Sequence, residues 1–204
     1  MIVSVQGGDS NRDEAAAPAR KPRIDGARNR ERLVAAAKAA FRETGGDVSL
    51  EEIARRAEVG IGTLYRHFPT RDAIVEAVYR REVEQLSEAA TRLLATLPAG
   101  EALQAWMRVF VDYIATKKVI GGALASLAGG TAGLFAASGT RISEAITLLV
   151  ERARAAGDIR ADVEPADVFR GLIGVTYANN EPGWQESALR LTDILMAGLR
   201  APAA

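Results

Sequence analysis

The chain has 204 residues, of which 48% are hydrophobic and 5% aromatic, and its 26 Lys/Arg balance its 26 Asp/Glu. It contains no cysteine and one histidine, which excludes disulfides, thiolate nucleophiles and cysteine-ligated zinc and disfavours a histidine-based metal site. No apolar run approaches the roughly 20 residues that span a bilayer, and the N-terminus lacks a signal-peptide pattern. We therefore expect a cytoplasmic protein without a cofactor, a metal or a membrane partner.

The charges are unevenly distributed along the chain. Residues 20–72 contain twelve Lys/Arg and eight Asp/Glu, a net charge of +4, whereas residues 1–19 and 73–204 each carry a net charge of −2. A basic segment attached to an acidic remainder favours a polyanionic partner for that segment. An excess this small also arises by chance, so the charge pattern alone leaves the question open.

Residues 1–22 are rich in Gly, Ala and Asp and have no apolar periodicity, which predicts a disordered N-terminal arm. The basic end of this arm, ARKPR, suits a DNA minor groove, and an inert extension is the alternative. After this arm the sequence has helical periodicity, which predicts a first helix that ends at Gly45–Gly46. The apolar face of this first helix consists of Leu33, Ala37, Ala40 and Phe41.

Two short helices follow, with a tight turn at Glu58–Gly60 between them. Ser49 and Glu52 have the spacing of a capping box at the start of the first, which is predicted over Ser49–Ala57. The second is predicted over Gly60–Phe68, because Pro69 disfavours a helical backbone at Phe68. This arrangement is a helix-turn-helix pattern, in which the second helix can enter a DNA major groove.

The composition of the second helix fits that role. Leu64 and Phe68 supply apolar contacts to the first helix, which leaves six residues for an outer face: Ile61, Gly62, Thr63, Tyr65, Arg66 and His67. Glycine at positions 60 and 62 permits close approach of the backbone, and hydroxyl and guanidinium groups bind phosphate or base edges. The alternative, His67 as a general base, is disfavoured because the nearest acid, Asp72, lies beyond a proline.

The remaining elements are also helical. Thr70 is predicted to cap a long helix that reaches Pro98, with Asp72 in its first turn. Further helices are predicted over 101–118, 119–127, 135–156, 165–180 and 184–200, and no convincing alternating strand pattern occurs. The sequence therefore predicts an all-α protein with about nine helices.

The segment of about residues 26–79 resembles the TetR family of transcriptional regulators. The resemblance depends on AAAKAAFRETGG and on SLEEIARRAEVGIGTLYRHFPTRDAIVEAV. It implies a three-helix helix-turn-helix DNA-binding domain at residues 23–72, followed by a larger helical ligand-binding and dimerisation domain at residues 73–204. It also implies phosphate contacts from Ser49, Thr63, Tyr65, His67 and Arg71, and proximity to bases for Ile61, Gly62, Tyr65 and Arg66. Two positions depart from the family pattern: Gly60 replaces the usual serine, and Arg71 replaces the usual lysine.

The run LLVERARAAGDIRADVEPADVFRGLIGV is similar to one C-terminal subgroup of TetR-like regulators. By this resemblance the last two helices form the four-helix bundle of a homodimer. A two-fold dimer doubles the DNA contacts on a palindromic, double-stranded operator. The apolar residues expected at this interface are Val168, Leu172, Val175, Leu191, Ile194 and Leu195.

Five aromatic residues of the larger domain are candidate ligand contacts: Trp106, Phe110, Tyr113, Phe135 and Tyr177. The first three share one helical face, so they could line a cavity for a small apolar or aromatic effector, although core packing is the alternative for each. The Gly/Ala-rich run GGALASLAGGTAG suggests tight helix contact or a mobile lid. A cluster of acids (Asp158, Asp162, Glu164 and Asp167) matches no calcium loop and favours a solvated connection over a cation site.

These observations predict a non-enzymatic, sequence-specific DNA-binding regulator, most simply a repressor that an effector releases from its operator. One alternative is a DNA-binding regulator without an effector. An alternative of another class is an all-α small-molecule carrier or enzyme, against which the missing acid–base cluster argues.

Overall fold

The computed structural model of the chain describes residues 21–45, 47–178 and 181–201. These residues form nine helices: α1 (Lys21–Thr44), α2 (Leu50–Arg56), α3 (Ile61–His67), α4 (Arg71–Leu94), α5 (Ala99–Val119), α6 (Gly121–Ala125), α7 (Ala132–Ala155), α8 (Pro165–Tyr177) and α9 (Trp184–Leu199). Within the described ranges, β pairing is limited to one antiparallel bridge between Ile159 and Arg200. The prediction of an all-α fold with about nine helices is confirmed.

Several bounds differ from the prediction. α4 ends at Leu94 instead of reaching Pro98, and α7 begins at Ala132 instead of residue 135. α1 begins at Lys21, so the last two residues of the predicted arm are helical, and residues 1–20 lie outside the described residues. α6 covers five residues instead of nine, in keeping with the low helix propensity of the glycines at positions 121 and 122. α8 ends at Tyr177, and the predicted end at Asn180 lies outside the described residues.

Helices α1 to α3 form the head of the molecule around a small apolar core. The residues that fill it are fully or almost fully buried: Leu33, Ala37 and Phe41 of α1, Ile53 and Ala54 of α2, Leu64 of α3, and Phe68. Val48 and Val59, which flank α2, close the core from both sides. Because apolar residues recur at helical spacing on each helix, one packing arrangement buries all three faces.

Helix α4 connects the head to the body, which consists of α5 to α9. It packs against α1 on the head side and against α5, α6 and α7 on the body side. An ion pair crosses the α1–α4 contact, with Lys38 Nζ 2.7 Å from Glu82 Oε1. Deeper in the body, the indole of Trp106 donates a hydrogen bond of 2.8 Å to the carbonyl of Leu86, which fastens α5 to α4.

The apolar residues of α8 and α9 divide differently from the prediction. Val168 and Leu172 are buried inside the protomer, where α8 packs against α7 and α9, so their assignment to an intermolecular face is wrong. Leu195 is partly buried and packs closely on Gly171 of α8, because a Cβ added to that glycine would lie 3.4 Å from Leu195 Cδ2. The large apolar side chains that remain exposed on these helices are Ile173, Tyr177, Leu191 and Ile194.

The three acids between α7 and α8, together with Asp167 in the first turn of α8, have separate partners. Asp158 accepts a hydrogen bond from the backbone of Gly100, Asp162 pairs with Arg160, and Asp167 pairs with Arg170. Glu164 lies 3.8 Å from Arg154. No cluster of three or more potential metal ligands occurs among the described residues. The acids therefore serve helix ends and surface ion pairs.

Candidate nucleic-acid interface and body cavity

The α2–α3 unit is set by its helix ends. Ser49 is the N-cap of α2, and its Oγ accepts a hydrogen bond of 3.1 Å from the backbone N–H of Glu52. Only this half of the predicted capping box forms, because the Glu52 carboxylate is turned towards Arg55 and Arg56, at 2.7 Å from each. Hydrogen bonds from Arg55 and then Arg56 lower the pKa of Glu52 to about 2.

The turn between α2 and α3 contains a left-handed residue. Glu58 has a φ of 51°, and the N–H groups of Glu58 and Val59 donate to the carbonyls of Arg55 and Ala54. This pair of bonds is a Schellman motif, which usually has glycine at the left-handed position. The turn directs α3 away from α2, so that Leu64 faces the head core.

The outer face of α3 is formed by the residues that the sequence predicted. Ile61 is 41% exposed and Tyr65 is 44% exposed, and Gly62 and Arg66 are also exposed. Thr63 and His67 lie at the margin of this face and are half-buried. His67 faces Gly26 of α1: a Cβ added to that glycine would lie 4.0 Å from Cε1 of the imidazole. His67 therefore packs at the α1–α3 boundary.

The glycines at the start of α3 have no internal reason to be glycine. A Cβ added to Gly60 or Gly62 meets no atom of the head within 4 Å, and Gly60 has a φ of −60°, which any residue adopts. Their lack of a side chain instead leaves the start of α3 flat. A flat helix start is what close approach of the backbone to a DNA groove requires.

Tyr65 connects the two helices at this surface. Its hydroxyl donates to the carboxylate of Glu51 across 3.3 Å, and the Glu51 charge raises the pKa of Tyr65. Glu51 thus places a negative charge beside the hydroxyl that is predicted to bind phosphate.

Arg71 is held by the head itself. Its guanidinium donates to the carbonyl of Val48, and its Cζ lies 5.8 Å from the centroid of the Phe41 ring. These contacts tie the start of α4 to the α1–α2 connection. The sequence missed this role because Val48 and Phe41 lie more than twenty residues away along the chain.

A cavity of about 210 Å³ lies between α4, α5, α7 and α8 in the body. Four of the five predicted ligand contacts line it: Phe110, Tyr113, Phe135 and Tyr177. Trp106 does not, because its indole is buried in the core and bonded to Leu86. A larger groove on the outer face of α7, lined by Ser143, Glu144 and Glu151, is open to solvent.

Sequence reasoning missed several other residues of the cavity wall, among them Tyr79, Lys117, Ser138 and Phe169. Lys117 was within reach of the pattern, since it follows Phe110 and Tyr113 at helical spacing on the same face of α5. Tyr79 and Phe169 were not, because they come from other helices. Burial strongly raises the pKa of Tyr113, whose hydroxyl donates to that of Tyr79 across 3.3 Å.

Comparison with known proteins agrees with this architecture. Residues 33–78 match the family described as "Bacterial regulatory proteins, tetR family", and residues 98–201 match "Transcriptional regulator SbtR-like, C-terminal domain". The structure is similar to that of the TetR transcriptional regulator SCO0520 from Streptomyces coelicolor, with a TM-score of 0.77 and 43% identity over 85% of this chain and 99% of that one. The chain belongs to the TetR family.

A second TetR-family structure, the transcription regulatory protein from Mycobacterium vanbaalenii, has a TM-score of 0.71 and 33% identity over 88% of this chain and 99% of the other. No curated protein matches the chain significantly. As a TetR-family regulator, the chain is a non-enzymatic DNA-binding transcription factor, as predicted. No helix in the described part of this TetR-family chain is long and apolar enough to cross a membrane.

Proposed function

We propose that this TetR-family regulator is a homodimeric repressor that acts in the cytoplasm on a palindromic operator and is released from it by a small molecule. The observation that carries the proposal is the outer face of α3. Ile61 and Tyr65 are large side chains left exposed beside glycines that no internal packing requires. Such a surface is costly in water and complementary to a major groove.

The proposed contacts are divided by chemistry. Ile61, Gly62, Tyr65 and Arg66 approach the base edges, and the hydroxyls of Tyr65, Thr63 and the exposed cap residue Ser49 donate to phosphates. His67 and Arg71 lie at the edge of the docking face, where their positive or donor groups can add phosphate contacts. For Arg71 that contact comes in addition to its bond to Val48.

Dimerisation through α8 and α9 is supported by the apolar side chains that these helices leave exposed. Ile194 is 66% exposed, and Leu191 and Ile173 are 38% and 39% exposed. Exposed apolar side chains on two adjacent helices are typical of an interface. A two-fold axis through this face pairs two heads for one palindrome.

The route from cavity to head runs through α4. Tyr79 of α4 lines the cavity, while the first turn of α4 carries Asp72, whose carboxylate lies 3.4 Å from the backbone nitrogen of Ala128 in the α6–α7 connection. A ligand that shifts α7 or α4 thereby changes the position of the head. Repression is relieved if the ligand binds more tightly to an arrangement in which the distance between the two heads of the dimer no longer matches the operator.

Fluorescence anisotropy with the DNA upstream of the protein's own gene tests the DNA-binding part. We expect salt-sensitive binding that Tyr65→Ala and Arg66→Ala each weaken by about tenfold or more, with unchanged thermal stability. Arg92→Ala, an exposed arginine at the end of α4, is the control and should bind normally. Absence of salt-sensitive binding, or normal binding by both α3 variants, would contradict the proposal.

Arg71→Ala separates a structural role from a DNA contact. It should weaken DNA binding and also lower the melting temperature, since the carbonyl of Val48 loses its donor. A regulator without an effector remains the second candidate, because the cavity is small. A thermal-shift screen in which no metabolite stabilises the protein would favour that candidate.

A further inference from the structure

The body cavity has the size of one substituted ring. Its volume of about 210 Å³ exceeds a cavity of about 150 Å³ that accommodates benzene and lies below the roughly 300 Å³ at which pockets for drug-sized molecules begin. A single aromatic ring with a short substituent therefore fits, and a polycyclic ligand does not.

The walls of the cavity favour an aromatic ligand. Six rings line it: Tyr79, Phe110, Tyr113, Phe135, Phe169 and Tyr177. Phe135 meets Tyr79 edge-on with centroids 5.6 Å apart, and Phe169 meets Phe110 edge-on at 5.9 Å. These rings present both faces and edges, so a flat guest can adopt the offset and edge-to-face contacts that aromatic pairs prefer.

One cationic side chain enters this apolar wall. Lys117 is half-buried, and its Nζ lies 4.8 Å from the centroid of the Phe135 ring. Among the described residues its side chain has no hydrogen-bond or ion-pair partner, and no carboxylate lines the cavity. Removal from water lowers the pKa of Lys117 without a compensating anion.

The neighbouring lysine shows the opposite arrangement. Lys118 donates to the carbonyl of Thr176 across 2.7 Å and lies 3.7 Å from the centroid of the Trp184 ring. It thus joins α5 to the end of α8 and the start of α9, and it does not line the cavity. Two adjacent lysines are therefore available for comparison, of which only Lys117 lines the cavity, while Lys118 Nζ lies 5.2 Å from the ring centroid of Tyr177 at its margin.

The charge of the cavity decides the ligand class. Aromatic walls alone would suit a cation, but the Lys117 ammonium repels one. A neutral guest would desolvate Lys117 further without pairing it, which is costly. An anionic group forms a charge-assisted hydrogen bond to Nζ and removes that cost. The Tyr79 hydroxyl, which accepts from Tyr113, keeps its own proton for a second acceptor.

We infer that the cavity takes a small aromatic monocarboxylic acid, one substituted ring whose carboxylate pairs with Lys117 and whose ring packs between Phe110, Tyr113 and Phe135. This ligand class rests on the proposed function for its regulatory meaning, because the acid would be the effector. The binding itself is independent of whether DNA is released.

Calorimetric titration of the full chain with benzoate and phenylacetate, each against its neutral amide, tests the inference. We expect at least one acid to bind about tenfold or more tightly than its amide. Lys117→Met should abolish that preference, Lys117→Arg should restore part of it, and Lys118→Met should retain it. Acids that bind no better than amides, equal binding by Lys117→Met, or no binding of either acid at millimolar concentration would overturn the inference.

A second variant locates the site. Position 139 lines the cavity, and a Cβ on Gly139 meets no other atom within 4 Å, so Gly139→Leu adds a side chain at the cavity wall without a clash at its Cβ. It should abolish binding of the acid while its melting temperature stays near that of the wild type. Undiminished binding by Gly139→Leu would place the acid elsewhere and overturn the inference.

Anisotropy with operator DNA in the same samples distinguishes the two proposals. Lys117-dependent acid binding that leaves DNA affinity unchanged would keep the ligand class and refute release by the effector. Intact DNA binding with no preference for the acid would refute the ligand class and leave the proposed DNA binding standing.

Discussion

The carboxylate of Asp158, beyond the end of α7, accepts a hydrogen bond of 2.7 Å from the backbone N–H of Gly100 in the first turn of α5. N–H groups in a first helical turn have no partner inside the helix. Pro98, which precedes α5, supplies no side-chain cap, so a residue 58 positions further along the chain does so. The contact is close: a Cβ on Gly100 would lie 2.8 Å from the Cβ of Asp158.

Gly100→Ala should therefore destabilise the protein. The added methyl group must displace Asp158 or α5, which we expect to cost about 1–3 kcal/mol of unfolding free energy in urea denaturation. Gly133→Ala in α7, where a Cβ meets nothing within 4 Å, is the control and should stabilise by about 0.5–1 kcal/mol. Equal stabilisation by both substitutions would show that Asp158 can move aside without a loss of unfolding free energy.

The Lys38–Glu82 pair should contribute measurably to the docking of the head. Glu82 is 7% exposed and its partner only partly buried, so Glu82→Gln leaves a half-buried ammonium without its anion. We expect a loss of about 1–3 kcal/mol in urea denaturation. The matched control on the same helix is Glu84→Gln, whose pairing with Arg81 at 3.6 Å is solvent-exposed and should cost less than about 1 kcal/mol.

Glu58→Gly should stabilise the head. A residue with a side chain at a φ of 51° is strained by about 1 kcal/mol relative to glycine. The lost ion pair to Arg32 is a small offset, because the Glu58 side chain is 85% exposed. A rise in melting temperature for Glu58→Gly but not for Glu58→Ala would confirm that backbone strain is the cause, and equal effects would contradict it.

Glu51→Gln should strengthen operator binding. The Glu51 carboxylate lies 3.3 Å from the Tyr65 hydroxyl, on the surface that is proposed to approach phosphates. Removing one such repulsion in a solvated setting contributes about 1 kcal/mol, or about fivefold in affinity. Anisotropy titration measures this, with Glu88→Gln in the second half of α4 as the control. Unchanged affinity would mean that this edge of α3 does not approach the DNA phosphates.

Ile194→Asp should convert the proposed dimer to a monomer. Two copies of a carboxylate would be buried across the two-fold axis at a position that is 66% exposed in the protomer. Sedimentation velocity measures the change. The control Ile61→Asp, on α3, should remain dimeric and lose DNA binding instead. A dimeric Ile194→Asp variant would show that the interface does not include Ile194.

The helices and the outer face of α3 were predictable because their signals are local. A cap at Ser49 and Thr70, a proline at position 69 and apolar residues at helical spacing each act within a few residues of the backbone that they shape. The same periodicity leaves Tyr65 and Arg66 outside the head core. Their exposure follows from the position of Leu64 on the same short helix.

The tertiary structure alone decided what faces those helices from elsewhere in the chain. Trp106 and Phe110 share one face of α5, yet Trp106 meets a carbonyl of α4 while Phe110 meets the cavity. Spacing places Lys117 on the same face of α5 as Phe110 and Tyr113, but it becomes the one cation of the cavity lining only because α4, α7 and α8 surround it with rings. Periodicity determines which side of a helix is buried, whereas the chemistry of a site depends on partners that the packing of distant segments brings together.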